Sequence, residues 1–221
     1  MNHCSLCLTS TPSNTAFCSR CLKSLCSDSA RCYSCGIEIP TQNSRCSECI
    51  SHPPEFDRTI VAGRYASPID QLIHQFKYNG DLHKGRILAE WLLSRLATSR
   101  IQLLIPMPLS ASRLQERGFN QSSELAQHLS KRLGIPIAHD LLKRNDSMTH
   151  QAQLKRQQRL KAMRKEFYTE QVIHADCVAL IDDVVTTTAT ARAAAGTLKK
   201  AGVKEVVIWA VARTPRPNDK D

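Results

Sequence analysis

The chain has 221 residues, with 30 Lys or Arg against 20 Asp or Glu and a formal net charge of +10. Its length suits one ordinary domain with a small additional module, and its charge favours anionic partners such as nucleotides, nucleic acid or an acidic protein. The sequence has no apolar run near the roughly 18 residues of a membrane span, and residues 1–13 lack the pattern of a secretory signal. We therefore expect a soluble, cytoplasmic protein.

The cysteines are concentrated at one end of the sequence. Nine of the ten lie before residue 50, and eight of them repeat the spacing C-x2-C-x10-C-x2-C twice. Four thiolates in two such pairs are the donor set of a tetrahedral Zn²⁺ site. Few large apolar side chains accompany them, so the segment needs a metal or disulfides to fold, and a cytoplasmic setting disfavours disulfides. We predict a double zinc ribbon over residues 1–52 with two structural Zn²⁺ sites. Their ligands are Cys4, Cys7, Cys18, Cys21, Cys32, Cys35, Cys46 and Cys49.

Alternatives remain open for this ribbon. Rubredoxin-like iron is the main rival of zinc, and an interleaved pairing of the cysteine pairs is the rival of one metal per quartet in sequence order. Cys26 is left over as a spare thiol. Residues 1–52 carry four Lys or Arg against three Asp or Glu. Because the ribbon is nearly neutral, we expect it to bind a protein or support its neighbour rather than to bind nucleic acid.

A linker at residues 52–54 precedes the second predicted domain, residues 53–221. Residues 59–65 are expected to form a strand, and two amphipathic helices follow up to about residue 97. A second buried strand is expected at residues 101–105.

A basic, amide-rich stretch follows this second strand and precedes a helix predicted over residues 123–133. Arg113 and Arg117 lie in the stretch. Because arginine can bind a phosphate with two parallel hydrogen bonds, both are candidate phosphate ligands. The alternative is a solvated basic loop.

Positive charge is strongest in residues 143–165, which hold eight Lys or Arg against one acid, a net charge of +7. We expect such a segment to contact a nucleic-acid backbone or to lie over a phosphate site as a mobile cover. The alternative is a solvated helix face. Aromatic side chains for base stacking are sparse nearby. The candidate nucleic-acid ligands are Lys155, Arg156, Arg159 and Arg164.

The most informative stretch is residues 178–190, VALIDDVVTTTAT. A short apolar strand is expected to end at two acids, and a hydroxyl-rich turn, an alanine-rich helix and a further strand at residues 206–211 follow. Ligands of open α/β sheets bind at the carboxyl ends of strands. Carboxylates suit a ribose diol, and free amides at a helix start suit a phosphate, so we predict a ribose 5-phosphate site. The candidate residues are Asp182, Asp183, Thr186, Thr187, Thr188, Ala189 and Thr190. The alternative is a strand end with two solvated aspartates and a threonine helix cap.

This stretch resembles the motif of type I phosphoribosyltransferases that binds phosphoribosyl pyrophosphate (PRPP), in which two acids precede a Thr-Thr-Gly-x-Thr loop. The resemblance implies an α/β fold with a parallel sheet flanked by helices, PRPP bound with Mg²⁺, and catalytic roles for Asp182 and Asp183. The departure is Thr188, which replaces the glycine. Since a β-branched residue is strained at positive φ, we expect the loop either to keep a negative φ there or to hold phosphate in an altered way.

Essentially the whole chain resembles the ComF family, which joins an N-terminal zinc ribbon to a phosphoribosyltransferase domain. The shared features occur in order: the cysteine pairs, the Lys77-Tyr78 pair, the stretch P-x-P-L…R-L-x-x-R-G-F-N-Q, a Q-x-x-L…R…F segment and the PRPP motif. Residues 161–167 depart from the family, which usually shows an Asn and a Gly-Ala before the Phe.

The resemblance implies a role in natural transformation (competence), DNA uptake or DNA utilisation. In that role the protein handles single-stranded DNA in the cytoplasm beside a helicase-like or recombination partner. Two further hypotheses stay open: an active phosphoribosyltransferase (a glycosyltransferase) of nucleotide salvage, and a PRPP-sensing regulator without catalysis. The sequence shows no acceptor-activating base, so enzymatic activity is left undecided.

Overall fold

The described residues form eight strands and seven helices. The computed structural model describes residues 2–11, 15–25, 29–41, 44–96, 100–145 and 166–216. The strands are β1 (Asn2–His3), β2 (Ser10–Thr11), β3 (Arg58–Arg64), β4 (Leu103–Pro106), β5 (Lys143–Arg144), β6 (Phe167–Tyr168), β7 (Cys177–Val185) and β8 (Glu205–Arg213). The helices are α1 (Ser19–Leu25), α2 (Ser47–Ser51), α3 (Ile69–Asn79), α4 (Leu82–Leu93), α5 (Ala111–Arg117), α6 (Gln121–Leu133) and α7 (Ala189–Lys200). None of these helices is long and apolar enough to cross a lipid bilayer.

A four-stranded parallel sheet with the strand order β3-β8-β7-β4 lies at the centre of the fold. Its central strands, β7 and β8, each have nine residues, and most of their side chains are buried. A parallel sheet covered on both faces requires such nearly continuous apolar strands, which is why apolar runs marked them in the sequence. The predicted α/β fold is therefore confirmed.

Helices cover both faces of this sheet. α3, α4 and α6 pack in one apolar cluster with Ala179, Ile181 and Trp209. α7 packs against the opposite face, in a cluster with Val178 and Leu180. Residues of the two clusters alternate along β7 because successive side chains of a strand point to opposite faces of the sheet.

The cysteine-rich region packs on the helical layer through Phe17. The Phe17 ring meets Trp91 of α4 edge to face, with ring centroids 6.2 Å apart, and both side chains are buried. Gly63 of β3 leaves room for the same indole, since a Cβ on Gly63 would lie 2.5 Å from Trp91. Trp91 is therefore in contact with both β3 and the cysteine-rich region. The division of the chain at residue 52 stays a prediction.

Some element boundaries differ from the prediction. β7 does not end before the acid pair but continues to Val185, because β8 keeps pairing with it as far as Val185 opposite Arg213. α4 ends at Leu93 rather than near residue 97. The basic, amide-rich stretch after the second strand, for which we predicted no helix, contains the short helix α5.

Candidate functional site

The carboxyl ends of β4 and β7 meet at one edge of the sheet. Pro106 of β4 lies opposite Ile181 of β7, and the next amide, that of Met107, donates a 2.9 Å hydrogen bond to the Ile181 carbonyl. β4 ends at Pro106, and the residues after it line a cleft of about 420 Å³ together with the last residues of β7 and the loop that follows β7. This edge is where open parallel sheets bind their ligands.

Most of the predicted ribose-phosphate ligands line this cleft. They are Arg113, Arg117, Asp182, Asp183, Thr186, Thr188 and Thr190. Thr187 and Ala189 belong to the same loop but are not among the residues lining the cleft. Lys77, Ser122 and Arg144 also line it. We predicted no ligand role for Lys77 or Ser122, whereas Arg144 belongs to the basic segment expected to contact a nucleic-acid backbone or a phosphate site.

Arg113 and Arg117 lie one helical turn apart on α5. The Ser110 hydroxyl accepts a 3.4 Å hydrogen bond from the Arg113 amide at the start of the helix, and Gly118 ends it with φ +75°. The Arg117 guanidinium lies 5.1 Å from the ring centroid of Tyr78, whereas the Arg113 side chain is exposed. A short, capped helix therefore places two cations at the cleft.

The R-G-F-N-Q motif acts largely through the fold. Phe119 packs against Phe76 of α3, with ring centroids 5.5 Å apart. The Asn120 side chain donates a 3.1 Å hydrogen bond to the Met107 carbonyl after β4, and its oxygen caps the first turn of α6. The arginine and the glutamine of the motif line the cleft.

The two carboxylates of the acid pair have different surroundings. Asp183 is buried and forms an ion pair with Lys77 of α3. Asp182 accepts hydrogen bonds from the Ser122 hydroxyl at 3.4 Å and from the Asp183 amide at 2.9 Å. Burial raises the pKa of Asp182 to about 6, against the opposing effects of the Lys77 charge and the Ser122 hydrogen bond. Two solvated aspartates, the alternative considered for this motif, do not describe the pair.

Lys77 compensates the charge of the acid pair. Burial lowers the pKa of its ammonium group to about 8, the attraction of Asp182 opposes this shift, and Arg117 and Arg113 add to it. The ammonium group nevertheless stays largely charged at neutral pH, because its pKa remains above 7. The sequence marked this residue through the Lys77-Tyr78 pair at a helix end, without indicating its contact with the acids.

Thr188, in the loop between β7 and α7, has a strained backbone. Its φ is +64° and its ψ −6°, so the expected alternative of a negative φ is wrong. The residue keeps the left-handed conformation that glycine adopts readily, at a cost of about 1–3 kcal/mol for another residue. Arg192 holds it there, because the Arg192 amide donates to the Thr188 carbonyl at 2.8 Å and the guanidinium donates to the hydroxyl at 3.3 Å.

The eight predicted metal ligands form two clusters in sequence order, so the interleaved pairing is wrong. The first quartet is Cys4, Cys7, Cys18 and Cys21, and the second quartet is Cys32, Cys35, Cys46 and Cys49. Within each quartet the Sγ atoms all lie within 4.8 Å of one another. The Cys7–Cys18 and Cys35–Cys46 sulfur separations are 3.6 and 3.7 Å. They far exceed a disulfide bond of about 2.05 Å and approach the roughly 3.8 Å between sulfurs on a tetrahedral zinc with Zn–S bonds of about 2.3 Å.

The surroundings of the sulfurs also suit a cation. The Cys46 amide donates a 3.2 Å hydrogen bond to Cys32 Sγ. Hydrogen bonding by Thr9 lowers the pKa of Cys7 to about 6, whereas burial raises the pKa of Cys35 to about 11. Four crowded thiols do not all ionise unaided, and a divalent metal that prefers sulfur allows them to do so. Both quartets could therefore bind Zn²⁺, as expected for a double zinc ribbon.

Several residues discussed from the sequence lie outside the described residues. They are Lys155, Arg156, Arg159, Arg164 and the leftover Cys26. The described start of the basic segment is paired with acids, Lys143 with Glu170 at 2.8 Å and Arg144 with Glu166. Arg144 lines the cleft, so the basic segment begins beside the candidate site.

Comparison with known proteins finds relatives over most of the chain. The chain is 33% identical over 170 residues to competence protein F of Haemophilus influenzae, covering 72% of this chain and 74% of that protein. It is 30% identical over 172 residues to the DNA utilization protein YhgH of Escherichia coli K12, covering 75% and 76%. It is 27% identical over 149 residues to competence protein ComFC of Streptococcus pneumoniae, covering 67% and 65%. No family model matches the chain.

The protein should contain two zinc ions, because each quartet is a complete thiolate donor set. Cys18→Ser and Cys46→Ser should each remove one ion in elemental analysis. Cys177→Ala, which changes a buried cysteine outside both quartets, should retain both ions. Chelation should speed amide exchange in residues 1–52 and leave β7 and β8 protected. Protein without zinc, or with a coloured iron centre, would contradict this assignment.

Thr188→Gly should raise the free energy of unfolding by about 1 kcal/mol, because relief of about 1–3 kcal/mol of strain exceeds the entropic cost of glycine, about 0.5–1 kcal/mol. Thr187→Gly is the matched control, since Thr187 adjoins the strained residue but does not have a positive φ. It should lower stability by about 0.5–1 kcal/mol. Urea unfolding measures both, and equal destabilisation by the two changes would argue against strain at Thr188.

Proposed function

We propose that this chain, which belongs to the ComF family, binds PRPP or a related ribose phosphate, with Mg²⁺, in the cleft where β4 and β7 end. The observation that most supports this function is the meeting of three groups around one cleft. These groups are an acid pair, a hydroxyl-rich loop at a helix start and two arginines. Each of them suits a different part of the ligand.

The acid pair suits the ribose diol. Among the described residues, the hydrogen bonds that Asp182 accepts from Ser122 and Asp183 both go to its Oδ1 atom, so we expect Oδ2 to bind a ligand hydroxyl. A hydrogen bond to an ionised carboxylate is roughly twice as strong as one between neutral groups. Carboxylate oxygens are also the donors that Mg²⁺ prefers, so Asp182 and Asp183 fit a magnesium ion bound with PRPP, directly or through water.

The loop and the arginines suit the phosphates. Thr186, Thr188 and Thr190 line the cleft where α7 begins, and the free amides and dipole of a helix start favour an anion. Arg113 and Arg117 line it from the β4 side, and their planar guanidinium groups match pyrophosphate oxygens. The ribose would thus lie between its 5-phosphate and its pyrophosphate.

The cellular role that we propose is an accessory function in DNA uptake or DNA utilisation. The names of the relatives, competence protein F and DNA utilization protein YhgH, support this role. In it the protein handles single-stranded DNA in the cytoplasm, beside a helicase-like or recombination protein. The net charge of +7 in residues 143–165 suits the phosphate backbone of that DNA.

A second candidate function is transfer of the phosphoribosyl group to an acceptor base. Arg113 and Arg117 favour it, because two cations at the cleft can stabilise a departing pyrophosphate. A screen of nucleobases for pyrophosphate release from PRPP tests this activity. Binding without release from any base would favour a DNA-uptake factor or a PRPP sensor.

Asp182→Asn should weaken PRPP binding with Mg²⁺ by about ten- to a hundredfold, since a hydrogen bond to a charged group contributes about 1.5–3 kcal/mol. The free energy of unfolding should not fall. The raised pKa of Asp182, about 6, means that folding disfavours its ionised form at neutral pH, and asparagine removes that cost. Calorimetric titration and urea unfolding measure the two effects. Asp176→Asn, an exposed acid paired with Lys204 just before β7, is the matched control and should change neither.

The ratio of wild-type to Asp182→Asn affinity should also fall as the pH is lowered through about 6, because Asp182 then takes up a proton. Titration of the ligand's own phosphates affects both proteins equally and cancels in this ratio. A ratio that stays constant from pH 5 to 8 would contradict a role for ionised Asp182. If neither the wild type nor Thr188→Gly binds PRPP, the cleft is not a working phosphoribosyl site.

Affinity for single-stranded DNA should fall steeply with salt if the basic segment binds its backbone. Three to five phosphate contacts predict a log–log slope of about −2 to −3.5, at about −0.7 per contact. Glutamine at Lys155, Arg156, Arg159 and Arg164 should flatten this slope and weaken binding. Fluorescence anisotropy of a labelled oligonucleotide at several salt concentrations measures it.

A variant with the same loss of charge elsewhere is the control for this DNA experiment. It carries glutamine at the exposed positions Arg86, Lys131, Lys200 and Lys204. This variant should retain the wild-type slope. Equal flattening in both variants would show a non-specific effect of net charge, and an unchanged slope in the first would place the DNA surface elsewhere.

A further inference from the structure

Hydrogen bonds of Arg213 connect the start of the phosphate loop, which we define as residues 186–190, to the second cysteine quartet. This arginine ends β8 and is 8% exposed. Its Nη1 donates to the Val185 carbonyl at 3.2 Å and to the Thr186 carbonyl, and its Nε donates to the Cys35 carbonyl at 3.0 Å. One planar guanidinium therefore fixes the position of a quartet cysteine relative to the first residue of the loop.

Arg192 of α7 links the far side of the loop to the two residues that follow α2. Its Nε donates to the Thr188 hydroxyl at 3.3 Å. Its two Nη atoms donate to the carbonyls of Pro53 at 3.0 Å and His52 at 2.7 Å. His52 directly follows α2, which carries Cys49 of the second quartet. Both ends of the strained turn are thus hydrogen-bonded, through Arg213 and Arg192, to Cys35 of the second quartet or to the residues directly after α2.

The second quartet also packs closely on the central sheet. Gly36 follows Cys35 with φ +70°, and a Cβ there would lie 3.1 Å from the Thr59 side chain of β3. The Thr59 amide donates a 3.3 Å hydrogen bond to the Tyr33 carbonyl. Because the packing is close, a change in the geometry of this quartet would move β3 and Arg213 as well.

Charge explains why a filled quartet would hold Arg213 in place. Four thiolates with one Zn²⁺ leave two negative charges in excess. Arg213 and Arg31 lie beside the second quartet, and Arg31 donates to the Gly36 carbonyl at 3.1 Å. A buried guanidinium is stabilised beside this negative charge. Loss of the metal would also remove what holds the four Sγ atoms together, so the Cys35 carbonyl that accepts from Arg213 would be held less firmly.

The first quartet has different neighbours. Phe17, which lies between its cysteine pairs, packs on Trp91 of α4. The Leu25 carbonyl, at the end of α1, lies 3.3 Å from the position of a Cβ on Gly63. The first quartet therefore serves as an internal control for general effects of losing zinc.

We propose that Arg213 is a positioning residue through which the second quartet, when it holds its metal, sets the shape of the phosphate loop and its affinity for a phosphorylated ligand. The first quartet has no such effect. The inference rests on the proposed function of the cleft. By linkage, the ligand and the metal of the second quartet stabilise each other's binding by the same factor.

The first experiment compares Mg²⁺-dependent PRPP binding by calorimetry in the wild type and four variants of the whole chain. Cys18→Ser should bind like the wild type, whereas Cys46→Ser should bind about tenfold more weakly, within the usual range of coupling between sites. Arg213→Lys keeps every cysteine and the charge but loses the planar fork, and it should weaken binding to a similar extent. Combining Arg213→Lys with Cys46→Ser should add little, because both changes break the same connection.

The second experiment measures zinc release to a chromophoric chelator, a readout that a merely structural role of Arg213 would not move. In Cys18→Ser, only the second quartet holds zinc, and saturating PRPP with Mg²⁺ should raise its zinc affinity about tenfold. In Cys46→Ser, which retains the first quartet, PRPP should have no effect. Adding Arg213→Lys to Cys18→Ser should abolish the effect of PRPP.

The outcomes separate this inference from the proposed function. If the wild type does not bind PRPP, the proposed function fails and the inference fails with it. If the wild type binds and the two cysteine variants bind equally well, the inference alone is overturned. If Cys46→Ser does not fold, zinc release from Cys18→Ser with and without Arg213→Lys decides the matter, and an unchanged effect of PRPP overturns the inference.

Discussion

Pro106 on β4 lies opposite Ile181 on β7, and the arrangement of the cleft depends on this register. Because the two strands are parallel, the groups that follow them leave the sheet on the same edge. Asp182 follows Ile181 on β7. After β4, the chain continues to α6, and the Asn120 side chain holds its first turn by a hydrogen bond to the Met107 carbonyl. A shift of this register by one residue would exchange the faces of the sheet to which Asp182 and Asp183 point. The acid pair, the phosphate loop and the two arginines of α5 would then no longer share one cleft.

The phosphate loop has its shape imposed by its surroundings. A threonine with positive φ persists only where neighbouring contacts hold it there. Those contacts come from two arginines, Arg192 on the Thr188 side and Arg213 on the Thr186 side. A glycine at residue 188 would remove the strain and also loosen the unfolded chain. The combination found here favours a rigid turn over a flexible one.

Much of the fold followed from local patterns, because apolar runs and cysteine spacing report directly on burial and metal ligation. The order of the two quartets and the strand–loop–helix unit around Asp182 and Asp183 could be predicted in this way. The length of β7 could not, since its last residues are strand only because β8 continues beside them. The φ of Thr188 depends on Arg192, a contact that the pattern of the loop does not indicate. Arg213 lies beyond the strand predicted at residues 206–211, and two of its acceptors, the carbonyls of Cys35 and Val185, lie far away in the sequence.

The contact between Phe17 and Trp91 gives the protein a built-in optical probe. The chain has two tryptophans, and both indoles are buried, Trp91 against the cysteine-rich region and Trp209 within the central sheet. Opening of the cysteine-rich region would expose the Trp91 indole to solvent and leave the Trp209 indole buried. The emission of a Trp209→Phe protein would then follow that opening, and the emission of a Trp91→Phe protein would follow loss of the sheet. Ordinary fluorescence could thus separate local from global unfolding without an added label.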